Sequence, residues 1–241
     1  MSRKTREEAK VRVAAETKKR SRRRLVRSVF AAAAFAGIGY AAASYVTSAV
    51  EPAATATWDT AKVYPSDISF GNPKAAVRVT EYASLTCIHC SNFHEKALPD
   101  FLRQQVDTGK VHLVFRHFPY DAAGMAAAQA VTCLPPSRRA DAVKTLMRDQ
   151  DAWMKYDKAG LAALDLLGLS EEDRRKAGEC VEKETHAKEI GETVVEARQN
   201  GISSTPTFVI GDKVYPGFLG ADALGRIIDA SVPAGKGQDP R

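Results

Sequence analysis

Two cysteines separated by two residues, Cys87-Ile88-His89-Cys90, carry the clearest chemical signal in this sequence. Cys90 is close enough along the chain to close a tight disulfide with Cys87 or to resolve a mixed disulfide formed there. The thiolate is the form of cysteine that attacks disulfides, and a helix N-terminus favours it through unpaired backbone N–H groups and the helix dipole. The motif therefore predicts a redox site that performs thiol–disulfide exchange.

The flanking residues predict the elements that position this motif. Residues 76–82 alternate apolar and polar side chains, which is the pattern of a strand. Beyond the motif, Phe93, Ala97 and Phe101 recur at helical spacing. The predicted helix begins at the second cysteine and runs to about residue 106, with a break at Pro99. Cys87 is then expected at a helix N-terminus.

Two other interpretations of the motif stay open at this point. Zinc could be held by Cys87, His89, Cys90 and His94, although no second ligand pair follows at the spacing of a zinc finger. The two cysteines could also form a purely structural disulfide. Attached haem is excluded because Ser91, and not histidine, follows the second cysteine. We interpret His94 as a surface residue.

The rest of the body predicts an α/β domain interrupted by helices. A strand, a helix and a second strand at this spacing form a βαβ unit with a parallel strand pair. A long Ala-rich helical segment follows, and sheet signals return after it. The predicted elements are an edge strand within 67–73, strands 76–82 and 111–118, a helical segment at about 121–199, a hairpin of 207–210 with 213–215, and a helix at 221–230.

These features together resemble the DsbA-like thiol:disulfide oxidoreductases over residues 66–230. The resemblance rests on the Cys87–Cys90 motif after a strand, on Ser204-Thr205-Pro206-Thr207-Phe208 before the hairpin, and on the helical segment between them. It implies a thioredoxin-like α/β fold with an inserted all-helical subdomain at about 121–199.

The resemblance also implies roles for individual residues. Cys87 is the expected exposed nucleophile and Cys90 the buried resolving cysteine. Pro206 is expected as a cis-proline beside the pair, with Thr205 presenting backbone groups to a bound substrate peptide; an ordinary trans turn is the alternative. A partly positive His89 imidazole near the Cys87 sulfur is expected to stabilise the thiolate and make the disulfide a better oxidant.

Glu81 is the fourth residue to which the resemblance gives a catalytic role. In the predicted strand it shares a face with Val77 and Val79, so a carboxylate lies in an apolar row six residues before Cys87. Family members have an acidic residue there that relays a proton to or from the resolving cysteine. The alternative is a Glu on an edge strand that simply reaches solvent. One departure from the family is Ile88, because many members have proline at that position.

The N-terminus predicts a membrane anchor. Residues 1–28 hold twelve Lys and Arg against three Asp and Glu, whereas the rest of the chain holds 23 against 26, so the body shows no sign of nucleic-acid binding. Residues 29–50 are 22 uncharged residues, which as a helix span roughly 33 Å, enough to cross a bilayer. We expect a basic cytoplasmic tail (1–28), a transmembrane signal-anchor (29–50), a linker (51–65) and a flexible tail (231–241). The alternative is a signal peptide cleaved near Ala54-Thr55-Ala56.

The remaining two cysteines, Cys133 and Cys180, both lie in the predicted helical segment, 47 residues apart. In an oxidising compartment two such cysteines usually pair, so a structural disulfide is predicted, with two separate buried thiols as the alternative.

The sequence thus predicts an enzyme of the extracytoplasmic face of the inner membrane, anchored or exported, that donates disulfides to reduced exported client proteins. No cofactor or metal is expected. The resemblance implies that a quinone-linked membrane partner reoxidises the enzyme. Two alternatives are a disulfide isomerase or reductase on the same fold, and a non-catalytic peptide-binding or chaperone-like module.

Overall fold

The computed structural model describes residues 50–231, and within them six strands form one mixed sheet in the order β1-β6-β5-β3-β4-β2. The strands are Ala54–Thr55 (β1), Ile68–Phe70 (β2), Val77–Ala83 (β3), Val111–His117 (β4), Thr207–Ile210 (β5) and Lys213–Pro216 (β6). β3 and β4 pair in parallel, and the other four pairings are antiparallel. The predicted βαβ unit and the predicted hairpin are both present.

The helices fall into two groups, those that belong to the sheet domain and those inserted between β4 and β5. The first group is Ile88–Lys96 (α1), Leu98–Phe101 (α2), which continues into a π-helical turn at Leu102–Val106, and Ala221–Ser231 (α9). The inserted group is Ala122–Thr132 (α3), Pro136–Arg148 (α4), Gln150–Trp153 (α5), Ala159–Asp165 (α6), Glu171–Glu182 (α7) and Ala187–Gln199 (α8). The predicted break at Pro99 lies where α1 ends and α2 begins.

Helices cover both faces of the sheet, which is why every residue of β4 is buried. On one face the large core contains Phe93, Phe101 and Phe115 together with apolar residues of α4, α6 and α9. On the other face a smaller core of Tyr82, Val209 and neighbouring residues packs against α8. Glu81 follows the side-chain alternation of β3 and therefore points into the large core beneath α1.

A disulfide between Cys133 and Cys180 joins the end of α3 to α7 within the inserted helices. The two Cα atoms lie 6.0 Å apart, within the usual range for a disulfide. Elsewhere in the insert α3 and α6 approach closely at Gly160, where an added Cβ would lie 2.8 Å from the Ala126 carbonyl oxygen. The inserted helices therefore form a packed subdomain with a covalent link of its own.

Residues 51–65, which the sequence suggested as a linker, contact the domain at several places. β1 adds a short edge strand to β6. Further on, the Arg116 guanidinium donates hydrogen bonds to the Lys62 carbonyl and to both carboxylate oxygens of Asp67. Its Nη2 lies 2.7 Å from the Lys62 carbonyl oxygen and 2.7 Å from Oδ2 of Asp67. Arg116 is 3% exposed, so this buried ion needs these partners, and its bonds hold the segment against the sheet.

The predicted basic tail (1–28) and, except for Val50, the predicted membrane segment (29–50) lie outside the described residues. Residues 232–241 of the predicted flexible tail lie outside them as well. Within residues 50–231, none of the helices has the length and hydropathy needed to span a bilayer.

Candidate active site

The Cys87–Cys90 motif lies where β3 ends and α1 begins. Cys87 is the residue that precedes the first turn of α1, and its backbone N–H donates to the Ser84 carbonyl at 3.1 Å. The first turn of α1 carries no acidic side chain that would oppose a negative charge there. Both cysteines are free thiols in this structure.

Several hydrogen bonds lower the pKa of Cys87. The bond with the Cys90 thiol contributes most, and together with bonds from Thr205 and from the backbone N–H groups of Cys90 and His89 it lowers the pKa from 9.0 to about 5, against the opposing effect of burial. In its protonated form the Cys87 Sγ lies 3.4 Å from the Thr205 carbonyl oxygen, to which it can donate. Cys87 is therefore a thiolate at neutral pH.

Cys90 has the opposite character. Its side chain is fully buried, and burial, the neighbouring Cys87 and the negative charge of Glu81 all raise the pKa of its thiol. Cys87 itself is only 5% exposed, which is less than the exposed nucleophile we expected, because the loop at Thr205 packs against its sulfur. The two sulfurs still differ in the expected direction, since Cys87 has the low pKa and the greater exposure.

The loop that covers Cys87 contains the Thr205–Pro206 peptide bond, which is cis. The Pro206 carbonyl accepts a hydrogen bond from the Gly217 N–H at 2.7 Å, and the Thr207 hydroxyl donates to the Ser204 carbonyl at 2.7 Å. Pro206 is buried and Thr205 half-buried, so the loop presents Thr205 toward both Cys87 and solvent. The structure thus brings Thr205 and Pro206 to the redox pair.

Exposed apolar side chains lie beside Cys87 and beside the loop that covers it. Ile88 is 61% exposed immediately after Cys87, and Phe218 is 46% exposed in the turn that follows β6. Tyr120 is also exposed, and its pKa is raised by burial and by the charge of nearby Cys87. His89 is exposed, and it acts on Cys87 through its backbone N–H.

Glu81 and His94 form a buried pair beneath α1. The Glu81 side chain is 0% exposed and its Oε2 lies 3.0 Å from Nε2 of His94, whose side chain is 1% exposed. Our interpretation of His94 as a surface residue is therefore wrong. His94 lies one helical turn beyond Cys90, so the packing of α1 on the sheet buries it against Glu81 of β3.

The four residues considered as zinc ligands are not gathered into such a site, because His94 bonds Glu81 instead. Among residues 50–231 one group of three potential ligands lies close together, Cys133, Cys180 and His186. Its two sulfurs are bonded to each other, so neither is available as a thiolate ligand.

Gln150, to which we gave no role from the sequence, connects the inserted helices to the redox motif. Its side-chain amide nitrogen donates to the Leu85 carbonyl at 2.8 Å and to the Cys87 carbonyl at 3.1 Å. The residue is 7% exposed, so both bonds are shielded from water. A glutamine with a polar neighbour on each side gives no sequence signal for this role, because its acceptors are 63 and 65 residues away.

Replacing Gln150 with leucine is expected to lower the free energy of unfolding by about 2 kcal/mol, because the buried Leu85 carbonyl loses its donor. The midpoint of urea denaturation measures this loss. Gln199→Leu, at the exposed end of α8, is the matched control and is expected to change the free energy of unfolding by less than about 0.5 kcal/mol. Equal losses in the two variants would contradict a role for the Gln150 bonds.

Comparison with known proteins places the chain in a family. The family model described as thioredoxin matches residues 64–230. A putative protein-disulfide oxidoreductase of Rickettsia conorii is 27% identical over 75% of this chain and 66% of its own length, and a probable disulfide bond formation protein D of Bacillus anthracis is 27% identical over 70% of this chain and 80% of its own. The chain spans about half the length of similar proteins from Rickettsia felis and Rickettsia typhi.

A crystal structure shows the same relationship. The chain superposes on alpha-DsbA1 of Wolbachia pipientis with a TM-score of 0.62 and 29% identity, covering 70% of this chain and 92% of that one. The predicted thioredoxin-like fold with a helical insert is therefore confirmed. The matched family model shows that the chain belongs to the thioredoxin family, and its relatives and this shared fold make it similar to DsbA-like disulfide oxidoreductases.

Proposed function

We propose that this protein is a thiol:disulfide oxidase that donates the Cys87–Cys90 disulfide to reduced client proteins. The observation that carries the proposal is the contrast between the two sulfurs, since Cys87 has its pKa lowered to about 5 whereas the pKa of Cys90 is raised. A stabilised thiolate favours the reduced enzyme over its disulfide, and an enzyme that is stable when reduced is a good oxidant of others.

The size of this effect favours the reduced enzyme to a measurable degree. At pH 7 a thiol with a pKa near 5 is almost entirely ionised, whereas one near 9 is almost entirely protonated. The difference stabilises the reduced form by about 3 kcal/mol, which corresponds to roughly 60 mV for a two-electron couple. A reductant needs a stable disulfide, and this site has the opposite bias.

The proposed reaction begins when a client thiolate attacks Sγ of Cys87 in the oxidised enzyme. The Cys87–Cys90 bond breaks, and Cys90 leaves with the electron pair and takes up a proton in its buried position. A second client thiolate then attacks the client sulfur of the mixed disulfide, and Cys87 leaves as its stabilised thiolate. The client gains one disulfide and the enzyme ends as the dithiol.

The neighbouring residues support binding of an unfolded client. Thr205, beside the cis bond to Pro206, offers backbone groups next to Cys87, and Ile88, Tyr120 and Phe218 supply exposed apolar surface around it. Such a rim suits the exposed apolar segments of an unfolded protein. Because the same rim would serve a non-catalytic peptide-binding module, the two functions have to be separated by experiment.

The proposal includes the cellular setting. Donating disulfides requires an oxidising compartment, which places the domain on the extracytoplasmic face, anchored by residues 29–50 or exported after cleavage. Each turnover leaves the enzyme reduced, so a membrane partner that passes electrons to a quinone is proposed to reoxidise it.

The equilibrium potential of the Cys87–Cys90 pair, measured on the full chain in glutathione buffers, tests the direction of the reaction. We expect a value of roughly −100 to −160 mV at pH 7, the range of a strong oxidant in this family. A value near about −250 mV or below would instead support the reductase.

The pH dependence of that potential provides a second test. The lowered pKa of Cys87 stabilises the reduced form of the enzyme. This stabilisation is fully present above pH 9, decreases as the pH falls, and is lost below about pH 5. Between pH 6 and 8 reduction therefore takes up one proton, at Cys90, for two electrons. As the pH rises, the potential is expected to fall by about 30 mV per pH unit. A slope of about 60 mV per pH unit would show that both thiols are protonated in the reduced enzyme.

A further inference from the structure

The buried contact between Glu81 and His94 has a geometry that suits control of the resolving cysteine. The carboxylate lies on β3 in the centre of the sheet, and the imidazole lies on α1, one helical turn beyond Cys90. Their 3.0 Å contact joins Oε2 of Glu81 to Nε2 of His94, with almost no solvent exposure on either side. This contact is a candidate for a specific role in the exchange reaction.

The surroundings of this pair are aromatic. Glu81 lies opposite Phe115 of β4 and opposite Phe208 of β5 in the sheet register. The His94 ring meets Phe115 edge to face with centroids 5.7 Å apart, and Phe93 contacts Phe208 in the same way at 4.9 Å. A polar pair in such a position costs free energy unless its atoms are hydrogen-bonded, so atoms left without a partner need an explanation.

Each member of the pair has one such atom. Within residues 50–231, Oε1 of Glu81 and Nδ1 of His94 are buried and have no hydrogen-bond partner. The His94 bond occupies the other carboxylate oxygen, so Oε1 remains as an unoccupied acceptor. Glu81 is close enough to Cys90 for its negative charge to raise the pKa of that thiol.

We propose that His94 is a positioning residue that holds Oε2 of Glu81 so that Oε1 is left to exchange a proton with Cys90. The inference rests on the proposed thiol–disulfide exchange and goes beyond it by assigning the control of one proton to His94.

The step in question is the closure of the enzyme disulfide from a mixed disulfide on Cys87. Cys90 transfers its Sγ proton to Oε1 of Glu81, directly or through one water, and its sulfur attacks Sγ of Cys87. The bond between Cys87 and the bound thiol breaks, and that thiol leaves with the electron pair. Cys90 and Cys87 are then joined, the leaving thiol is reduced, and the proton rests on Glu81 until solvent removes it.

The other titratable groups on this side of the sheet do not compete for this proton. His117 of β4 meets Phe115 edge to face, and burial together with the charge of Arg139 on α4 lowers the pKa of His117 to about 3, so it is neutral near pH 7. Tyr215 of β6 has its pKa raised by burial and is also neutral. Apolar side chains of α2, α4 and α9 complete this side of the core around the Glu81–His94 contact.

The pH dependence of disulfide closure tests the proposal. Reduced full chain is mixed with oxidised glutathione, the reaction is quenched in acid at millisecond times, and mass spectrometry follows the mixed disulfide on Cys87 and its conversion to the Cys87–Cys90 disulfide. With an internal proton acceptor the closure rate should change little between pH 6 and 8. If Cys90 must lose its proton to solvent, the rate rises about tenfold per pH unit below the pKa of the thiol.

His94→Leu is expected to slow closure about tenfold at pH 7 and to convert the flat profile into the steep one. His94→Gln is expected to keep the flat profile, because a side-chain amide N–H can still donate to Oε2. Glu81→Gln should give the steep profile, and adding His94→Leu to it should slow closure no further, since His94 acts only through Glu81. If His94→Leu does not fold, the contrast between His94→Gln and Glu81→Gln decides the matter.

His112→Leu is the matched control, because His112 is also a buried histidine, but it lies on β4 with a hydrogen bond to Ser69. It should leave the flat profile unchanged. The role of His94 would be overturned by a steep profile in the unsubstituted protein or in His94→Gln. A flat profile in His94→Leu or Glu81→Gln would overturn it as well. Failure of Cys87 to form the mixed disulfide at all would instead overturn the proposed function, so the two failures are distinguishable.

Discussion

Cys87→Ala is expected to lower the rate of disulfide transfer to a reduced client at least about a thousandfold, because the client thiolate loses the sulfur that it attacks. The measurement is the return of activity to reduced, unfolded ribonuclease incubated with the oxidised enzyme. Cys87 contributes a small, nearly covered side chain at the start of α1, so alanine can occupy its place without disturbing the helix.

Cys90→Ala is the matched control, since it removes the other sulfur of the same motif and keeps the nucleophile. Mixed with an oxidised, scrambled ribonuclease, its Cys87 thiolate can attack a client disulfide, which breaks and leaves one client thiolate. Without Cys90 the variant cannot release the client by closing its own disulfide, so a covalent complex should accumulate, visible on a non-reducing gel. In a second assay a glutathione redox buffer supplies the oxidant, and a Cys87→Ala protein that promotes recovery of the client there as well as the unsubstituted protein does would show that the domain acts as a peptide-binding module. The oxidase would then be excluded, because the effect on the client would not need the redox sulfur.

Removing the disulfide of the insert, by Cys133→Ala together with Cys180→Ala, is expected to lower the free energy of unfolding by about 4 kcal/mol. The disulfide closes a loop across a sequence separation of 47 residues, and on the chain-entropy account its loss frees the unfolded chain by that amount. Urea denaturation of the oxidised proteins measures the loss. A decrease below about 1 kcal/mol would contradict this account.

The redox properties of the Cys87–Cys90 pair serve as the control for the same double variant. The disulfide lies between α3 and α7, whereas the redox pair lies at the start of α1, so the potential of the pair should stay within about 10 mV. A shift above about 30 mV would show that the Cys133–Cys180 disulfide tunes the redox site as well as stabilising the insert.

The sequence was most informative where the chemistry is local. Cys87 and Cys90 lie within four residues, so one strand end and one helix start are enough to define their geometry. The period of two in β3 was also sufficient to put Glu81 on the apolar face of its strand. The Thr205–Pro206 loop could be related to the motif only through the family resemblance, because 118 residues separate Thr205 from Cys87.

The sequence failed where the burial of a polar side chain depends on a partner from another element. His94 lies at helical spacing from Cys90 and Ala97, within the apolar stripe of α1, but we interpreted this polar side chain as a surface residue. In the fold α1 lies between the sheet and the inserted helices, and Cys90, Ser91, Phe93 and His94 are all buried. Helical periodicity places His94 on the buried face, but it cannot show that a carboxylate from another element lies there to receive the imidazole.

The amino-acid sequence by itself determined the redox chemistry, the order of the elements and the presence of a helical insert, since each depends on residues close together in the chain. Only the tertiary structure decided which groups surround the two sulfurs. Gln150 reaches the Cys87 carbonyl across 63 residues, Thr205 reaches its sulfur across 118, and His94 is held against Glu81 by the packing of α1 on the sheet. These contacts depend on how strands and helices are placed in space, and spacing along a single chain contains no measure of that.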